Sequence, residues 1–134
     1  MTTDQPTAAI RILTADSKDL LTALAKAKAN GEAYETVEAH DGLEAMHMLV
    51  ESPFNLAIID IAHPDLDALR LIALIRATPS LRRLPILAVA VDHVPETTLE
   101  GLRAGANDYL PRPIDWPQLV MRIRHLLSKE REGR

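Results

Sequence analysis

A chain of 134 residues with no cysteine has room for one compact domain with a sizeable core, and it excludes a disulfide framework or a thiolate metal site. Hydrophobic residues at 47% with aromatics at only 3% make that core aliphatic, and a formal charge of -4 gives no general pull toward nucleic acid. No stretch approaches the ~18 apolar residues of a membrane span, and Met1 to Ala8 lack the basic start and apolar run of a signal peptide.

Residues 1–8 therefore read as a disordered leader, 9–129 as the domain and 130–134 as a tail, in a cytoplasmic protein without a membrane partner. Ile10 to Ala15 is a short β-like run that stops at Asp16-Ser17, where either residue can cap a helix reaching about Asn30 on Leu20, Leu21, Leu24 and Ala27. Asn30-Gly31 supplies a stop, and Tyr34 to Ala39 then alternates as a strand nearer the sheet edge. Asp41-Gly42 turns into a second helix, Leu43 to Val50, closed by Ser52-Pro53.

Asn55 to Asp60 is an apolar run that ends abruptly on a carboxylate, as a buried parallel strand does when it delivers a side chain to the sheet's carboxyl edge. Taken alone, Asp60 is either such a functional group or the plain end of a strand. A loop through Pro64 leads to a third helix with Leu66, Leu69, Leu71, Ile72 and Ile75 as its buried set and Thr78-Pro79 as its end. Ile86 to Val91 is apolar throughout, as in a strand covered on both faces. Pro95 opens a fourth helix through Leu99, Leu102 and Ala104 to Gly105. A short strand, Asp108-Tyr109-Leu110, precedes Pro111-Arg112-Pro113, and Asp115 caps a last helix with Leu119, Ile123, Leu126 and Leu127 as its stripe.

Strand and helix alternate about five times, which calls for a doubly wound parallel sheet between helices. Right-handed crossovers bring the strand ends to one edge. Asp16, Asp60, Ala90 and Arg112 all fall at or just past such ends, so the topology gathers them into one crevice and favours the functional reading of Asp60.

From Ile10 to about Lys129 the chain resembles the receiver domain of two-component response regulators, an α/β fold with strand order 2-1-3-4-5. Ile58-Ile59-Asp60-Ile61-Ala62-His63-Pro64-Asp65-Leu66-Asp67-Ala68-Leu69 is similar to the phosphoacceptor strand and loop. Leu84-Pro85-Ile86-Leu87-Ala88-Val89 is similar to the fourth strand, and the run from Ala104 through Asn107-Asp108-Tyr109-Leu110-Pro111-Arg112-Pro113 to Asp115 to the fifth strand with its proline turn. The resemblance implies phosphoryl transfer from a histidine kinase or phosphotransfer protein to Asp60, giving an aspartyl phosphate in a signalling domain that is not an enzyme. It also implies a magnesium ion held by Asp16, Asp60 and the Ala62 position. The output lies in protein contacts: a neighbouring output or second receiver domain, or a homodimer through the face of the fourth helix, fifth strand and fifth helix.

The sequence departs from that family's pattern at functional positions. Ser17 stands where a second acid of the metal pair is usual, so magnesium binding is expected to be weak or absent. Ala90 stands at the position of a hydroxyl, Arg112 at that of a lysine and Ala68 at that of a glycine, while the aromatic switch position keeps Tyr109. The Arg-Pro pair with Asn107 to Leu110 also resembles receiver-like domains of regulators that carry a GGDEF diguanylate cyclase output. These departures lead to the expectation that Arg112 pairs with Asp60 and holds one fixed conformation.

Other readings are a phosphorylation-independent adaptor and a flavodoxin-like enzyme binding a nucleotide or flavin. The latter lacks a glycine-rich phosphate loop, since the 5 glycines are scattered. His40, His47, His63 and Asp65 have no one-turn pairing that would place imidazoles together on a metal. Leu99, Leu102, Tyr109, Trp116 and the cations Arg122, Arg124 and Lys129 are expected to form one partner surface.

Overall fold

The computed structural model of the chain describes residues 9–15, 17–61, 67–90 and 95–132, with the backbone alone for 95–99 and 130–132. Parallel strands β1 (Ile10–Ala15), β2 (Tyr34–Ala39), β3 (Leu56–Asp60), β4 (Ile86–Ala90) and β5 (Asp108–Pro111) form one sheet in the order β2-β1-β3-β4-β5. Helices α1 (Lys18–Ala29), α2 (Gly42–Glu51), α3 (Ala68–Ala77), α4 (Pro95–Ala104) and α5 (Trp116–Glu132) alternate with them. This is the doubly wound order expected from the sequence. Among the described residues no helix is long and apolar enough to cross a membrane.

The central runs are apolar throughout because successive side chains point to opposite faces and both faces are covered. Ile12, Leu56, Ile58, Leu87 and Val89 face α1 and α5, where Leu20, Leu24, Leu119 and Ile123 meet them. Leu13, Ala57, Ile59, Ile86 and Ala88 face the other layer, with Leu49 of α2 and Leu71, Ile72 and Ile75 of α3. Val120 joins the α5 stripe, while Leu127 and Leu69 are only half-buried. α3 starts at Ala68 and β4 ends at Ala90, while Leu66 and Val91 lie outside the described residues.

Caps account for several boundaries. Asp41 Oδ1 accepts the Glu44 N–H at 2.8 Å while Glu44 Oε1 accepts the His40 N–H at 2.6 Å, a reciprocal closure of the α2 start. Asp67 Oδ1 accepts the Arg70 N–H at 3.3 Å at the head of α3. Ser17, expected as a cap of α1, occupies the N-cap position without a side-chain capping bond, because its hydroxyl is engaged elsewhere. After α3 a short 3-10 turn, Pro79–Leu81, feeds β4, an element the sequence reading leaves out.

The far end of α3 carries a staple. Arg76 donates from Nε to Gly105 O at 2.9 Å, from Nη1 to Arg82 O at 3.1 Å and Leu84 O at 2.6 Å, and from Nη2 to Asn107 Oδ1 at 2.7 Å. Asn107 Oδ1 also accepts the Ile86 N–H at 2.7 Å. One side chain thus ties α3, the turn before β4 and the end of α4. Gly105, at φ +131°, ends α4, and a Cβ there would fall 2.6 Å from Arg76 Cγ, so only glycine suits the position.

Candidate functional site

Every strand runs the same way, so the carboxyl ends of β1, β3, β4 and β5 share one edge. Asp60 is the last residue of β3 and is 5% exposed. Ala90 closes β4, fully buried, and its carbonyl accepts the Arg112 N–H at 3.2 Å just past β5. Ser17, 5% exposed, starts the turn from β1 into α1. The crevice therefore unites Asp60, Ala90, Arg112 and Ser17, whereas Asp16 and Ala62, the other positions expected there, lie outside the described residues.

The Arg112 guanidinium organises the crevice. It grips Asp60 through Nη1 to Oδ1 at 3.2 Å and Nη2 to Oδ2 at 2.7 Å. Its other edge grips Asp19, in the first turn of α1, through Nε to Oδ2 at 2.6 Å and Nη2 to Oδ1 at 3.0 Å. Nη2 also donates to Ser17 Oγ at 2.9 Å, and Ser17 Oγ donates to Asp19 Oδ1 at 2.6 Å. A planar fork can serve two carboxylates in this way, which a lysine ammonium on one stem cannot. It also meets the demand of Asp60 for a compensating charge, since an ionised carboxylate out of water is costly.

The electrostatic consequence is clearest at Asp19. Hydrogen bonding from Arg112 pulls its carboxyl from the ordinary 3.8 down to about 2, against a smaller opposing effect of burial, and the Ser17 hydroxyl and the Leu20 N–H at 3.0 Å add to the lowering. Arg112 is pushed up in turn, chiefly by its bond to Asp19 and then by Asp60, so the cation persists at any working pH.

Asp19 is the site residue that sequence reasoning misses. Its signal is modest: an acidic residue in the first turn of a helix that follows a strand ending in the crevice, where the helix dipole also favours a negative charge. A search confined to positions at strand ends passes over it.

Tyr109 is half-buried on the layer of α2 and α3, with its ring 5.9 Å from the Arg122 guanidinium carbon. Arg122 Nη1 bonds both oxygens of Asp108 at 3.0 and 3.1 Å. Trp116, expected on the partner surface, is half-buried. It packs on the opposite layer, with α1, and borders a cavity of about 630 Å³ with Asp19, Thr22, Lys26 and Arg112. The turn after β5 carries the chain across to the α1 side before α5 begins, which separates Trp116 from Tyr109 and Leu102. Arg124 pairs with Glu32 at 2.6 Å and its side chain remains 68% exposed. The Leu99 side chain lies outside the described residues.

Among the described residues no group of three potential ligating side chains is placed to hold a metal. His40 sits 3.1 Å from Glu44 Oε1 and His47 is exposed, while His63 and Asp65 lie outside the described residues. In the described part of the crevice, where the resemblance implies a magnesium ion, both carboxylates, Asp19 and Asp60, are engaged by the Arg112 guanidinium. Ser17, expected to face that ion, is bonded to Asp19 and Arg112.

Comparisons with known proteins converge. The family model described as response regulator receiver domain matches residues 12–124. Response regulator MprA of Mycobacterium tuberculosis is 32% identical over 120 residues, covering 90% of this chain and 51% of that protein, so the chain spans about half the length of the curated relatives it matches. MprA of Mycobacterium avium, at 32%, covers 90% and 52%. Among solved structures, the signal receiver domain of a signal transduction histidine kinase from Syntrophus aciditrophicus superposes with a TM-score of 0.76 at 27% identity, covering 90% of this chain and 92% of that one. The receiver domain of sensor histidine kinase PA1611 from Pseudomonas aeruginosa, solved with a magnesium ion in its active-site cleft, shares the fold with a TM-score of 0.77 at 24% identity, covering 90% and 99%.

Proposed function

This chain belongs to the response-regulator receiver family, and on that premise we propose that Asp60 is its phosphoacceptor and that Arg112 holds the domain in one resting conformation. Receiver domains are signalling domains, and the family match favours that work over a nucleotide- or flavin-binding enzyme on the same fold. The observation that carries the reading is the two-point grip of Arg112 on the buried Asp60 carboxylate.

In the proposed step a carboxylate oxygen of Asp60 attacks phosphorus in the donor's phosphohistidine. The P–N bond breaks, its electron pair stays on the imidazole nitrogen, and an acyl phosphate forms on Asp60. Arg112 serves the step by balancing charge beside the acceptor. It also opposes it, because the nucleophilic oxygens are already hydrogen-bonded. Slow acceptance follows.

Ala90 bears on the signal after transfer. Its methyl group offers a phosphoryl oxygen no hydrogen bond, so the new group lacks a handle on β4 through which to move Tyr109. The domain then works mainly through protein contacts made in one conformation, with a histidine kinase or phosphotransfer protein upstream in the cytoplasm and an output or second receiver domain, or a second copy, downstream. Leu102, Tyr109 and the Asp108–Arg122 pair lie where the fourth helix, fifth strand and fifth helix meet, and they support that face as the contact surface.

Incubating the protein with magnesium and acetyl phosphate is expected to give a slow mass gain of one phosphoryl group, with acetate leaving, and no gain in Asp60→Asn. An equal gain in Asp60→Asn would remove Asp60 from the role. A separate measurement addresses coupling: beryllofluoride, an aspartyl-phosphate mimic, is expected to leave the Tyr109 resonances nearly unmoved in the starting protein. A large response is expected only in the Ser17→Asp, Ala90→Thr, Arg112→Lys variant. If the starting protein already responds fully, the held conformation is ruled out.

A further inference from the structure

A guanidinium has two edges that pair with carboxylates, and here each is taken. Asp60 occupies the Nη1–Nη2 edge at 3.2 and 2.7 Å, and Asp19 the Nε–Nη2 edge at 2.6 and 3.0 Å. We infer that Asp19 is a positioning residue that anchors Arg112 across Asp60 and thereby slows phosphoryl acceptance, a brake on the site whose identity rests on the phosphoacceptor reading above.

Asp19 is itself well anchored. Its Oδ1 accepts from the Leu20 N–H at 3.0 Å and from Ser17 Oγ at 2.6 Å, so the carboxylate is fixed to the first turn of α1 rather than free to follow Arg112. Arg112 is consequently tied to a helix end on one side and to the acceptor on the other. An incoming phosphoryl group brings three oxygens in need of donors. Among the described residues Ala90 offers no side-chain donor and both pairing edges of the guanidinium are occupied, so Arg112 can hold the group only by leaving a carboxylate.

Charge acts in the same direction. Among the described residues of this cluster two carboxylates share one guanidinium, an excess of negative charge before an anionic donor arrives. Asp19→Asn removes that excess, keeps the side chain's shape and relaxes the hold on Nε, leaving an edge of Arg112 for phosphoryl oxygens. Asp19→Glu keeps the charge and the pairing chemistry. The Asp19 side chain is 48% exposed, so screening limits the effect to that of a surface pair.

The test compares the starting protein with Asp19→Asn, Asp19→Glu and Asp60→Asn. One readout is the initial rate of phosphoryl gain from acetyl phosphate by intact mass. The other is exchange of the Arg112 Nε–H with water by nitrogen-15 NMR, which reports the anchor directly and not the overall fold. Asp19→Asn is expected to react about threefold to fivefold faster and to exchange the Nε–H faster, while Asp19→Glu behaves as the starting protein does. An Nε–H exchange rate unchanged by Asp19→Asn overturns the anchor. Faster exchange with no gain in rate overturns the brake while the acceptor reading stands, provided Asp60→Asn abolishes the reaction. Phosphoryl gain that persists in Asp60→Asn, or its absence from every protein tested, overturns both.

Discussion

Arg76→Ala is expected to lower the midpoint of thermal unfolding by about 10 °C, through a loss of about 3 kcal/mol. The side chain closes four hydrogen bonds, to Gly105 O, Arg82 O, Leu84 O and Asn107 Oδ1, at 2.6 to 3.1 Å. Truncation leaves three carbonyls and an amide oxygen without that donor, and each net bond is worth roughly 0.5–1.5 kcal/mol. The bonds join α3 to the turn before β4 and to the end of α4. Burial already pulls Arg76 below its ordinary pKa, a sign that its charge is held partly out of water for the sake of these bonds. Arg76→Lys should recover only part of the loss, since a single ammonium cannot span the fork. Circular dichroism melts decide the matter: a fall of under about 3 °C for the alanine variant, near 1 kcal/mol for a chain of this size, would show that the staple contributes little.

Arg112→Met is expected to cost about 2 kcal/mol at pH 7, and that cost is expected to shrink in acid. Methionine keeps the aliphatic bulk and removes the charge that Asp19 and Asp60 share. The sign of the pH effect follows from Asp19. Its carboxyl titrates near 3.8 when unfolded and at about 2 when folded beside Arg112, so its stabilisation is fully present above 3.8 and is lost as pH falls toward 2. Arg112 is raised in the folded state and stays charged across this range, so it adds no slope there. With Asp19 half exposed and screened, the gap between the two proteins should narrow by about 1 kcal/mol from pH 6 to pH 2. Urea titrations at pH 6, 4 and 2 measure it. A gap that stays constant, or widens in acid, contradicts the assignment of Asp19 as the titrating partner.

The two predictions differ in how visible their residues are in the sequence. Arg112 is marked by its place before Pro113 at the end of a strand, and Asp60 by the apolar run that it terminates. Arg76 has no such mark, because three of its four partners are backbone carbonyls, which any residue supplies. Asp19 lies between these cases: its position in the first turn of α1 is legible, but its pairing with a residue 93 positions away is not. Trp116 shows how a legible element can leave its packing open. Its place at the head of α5 follows from Asp115, yet the layer it joins depends on where the preceding turn sets the helix down.

What the sequence determined by itself is the alternation of elements and the convergence of Asp60, Ala90 and Arg112 on one edge, while the order of the sheet came from the family resemblance. Hydrophobic period and turn residues act locally, and parallel strands joined by right-handed crossovers leave few topologies open. Tertiary structure alone decided which charges meet. An ion pair depends on distances of a few ångströms between side chains far apart in the chain, and a guanidinium chooses among carboxylates according to which can reach its edges at once. Here it reaches Asp60 and Asp19 together, because β5 and the first turn of α1 open onto the same crevice.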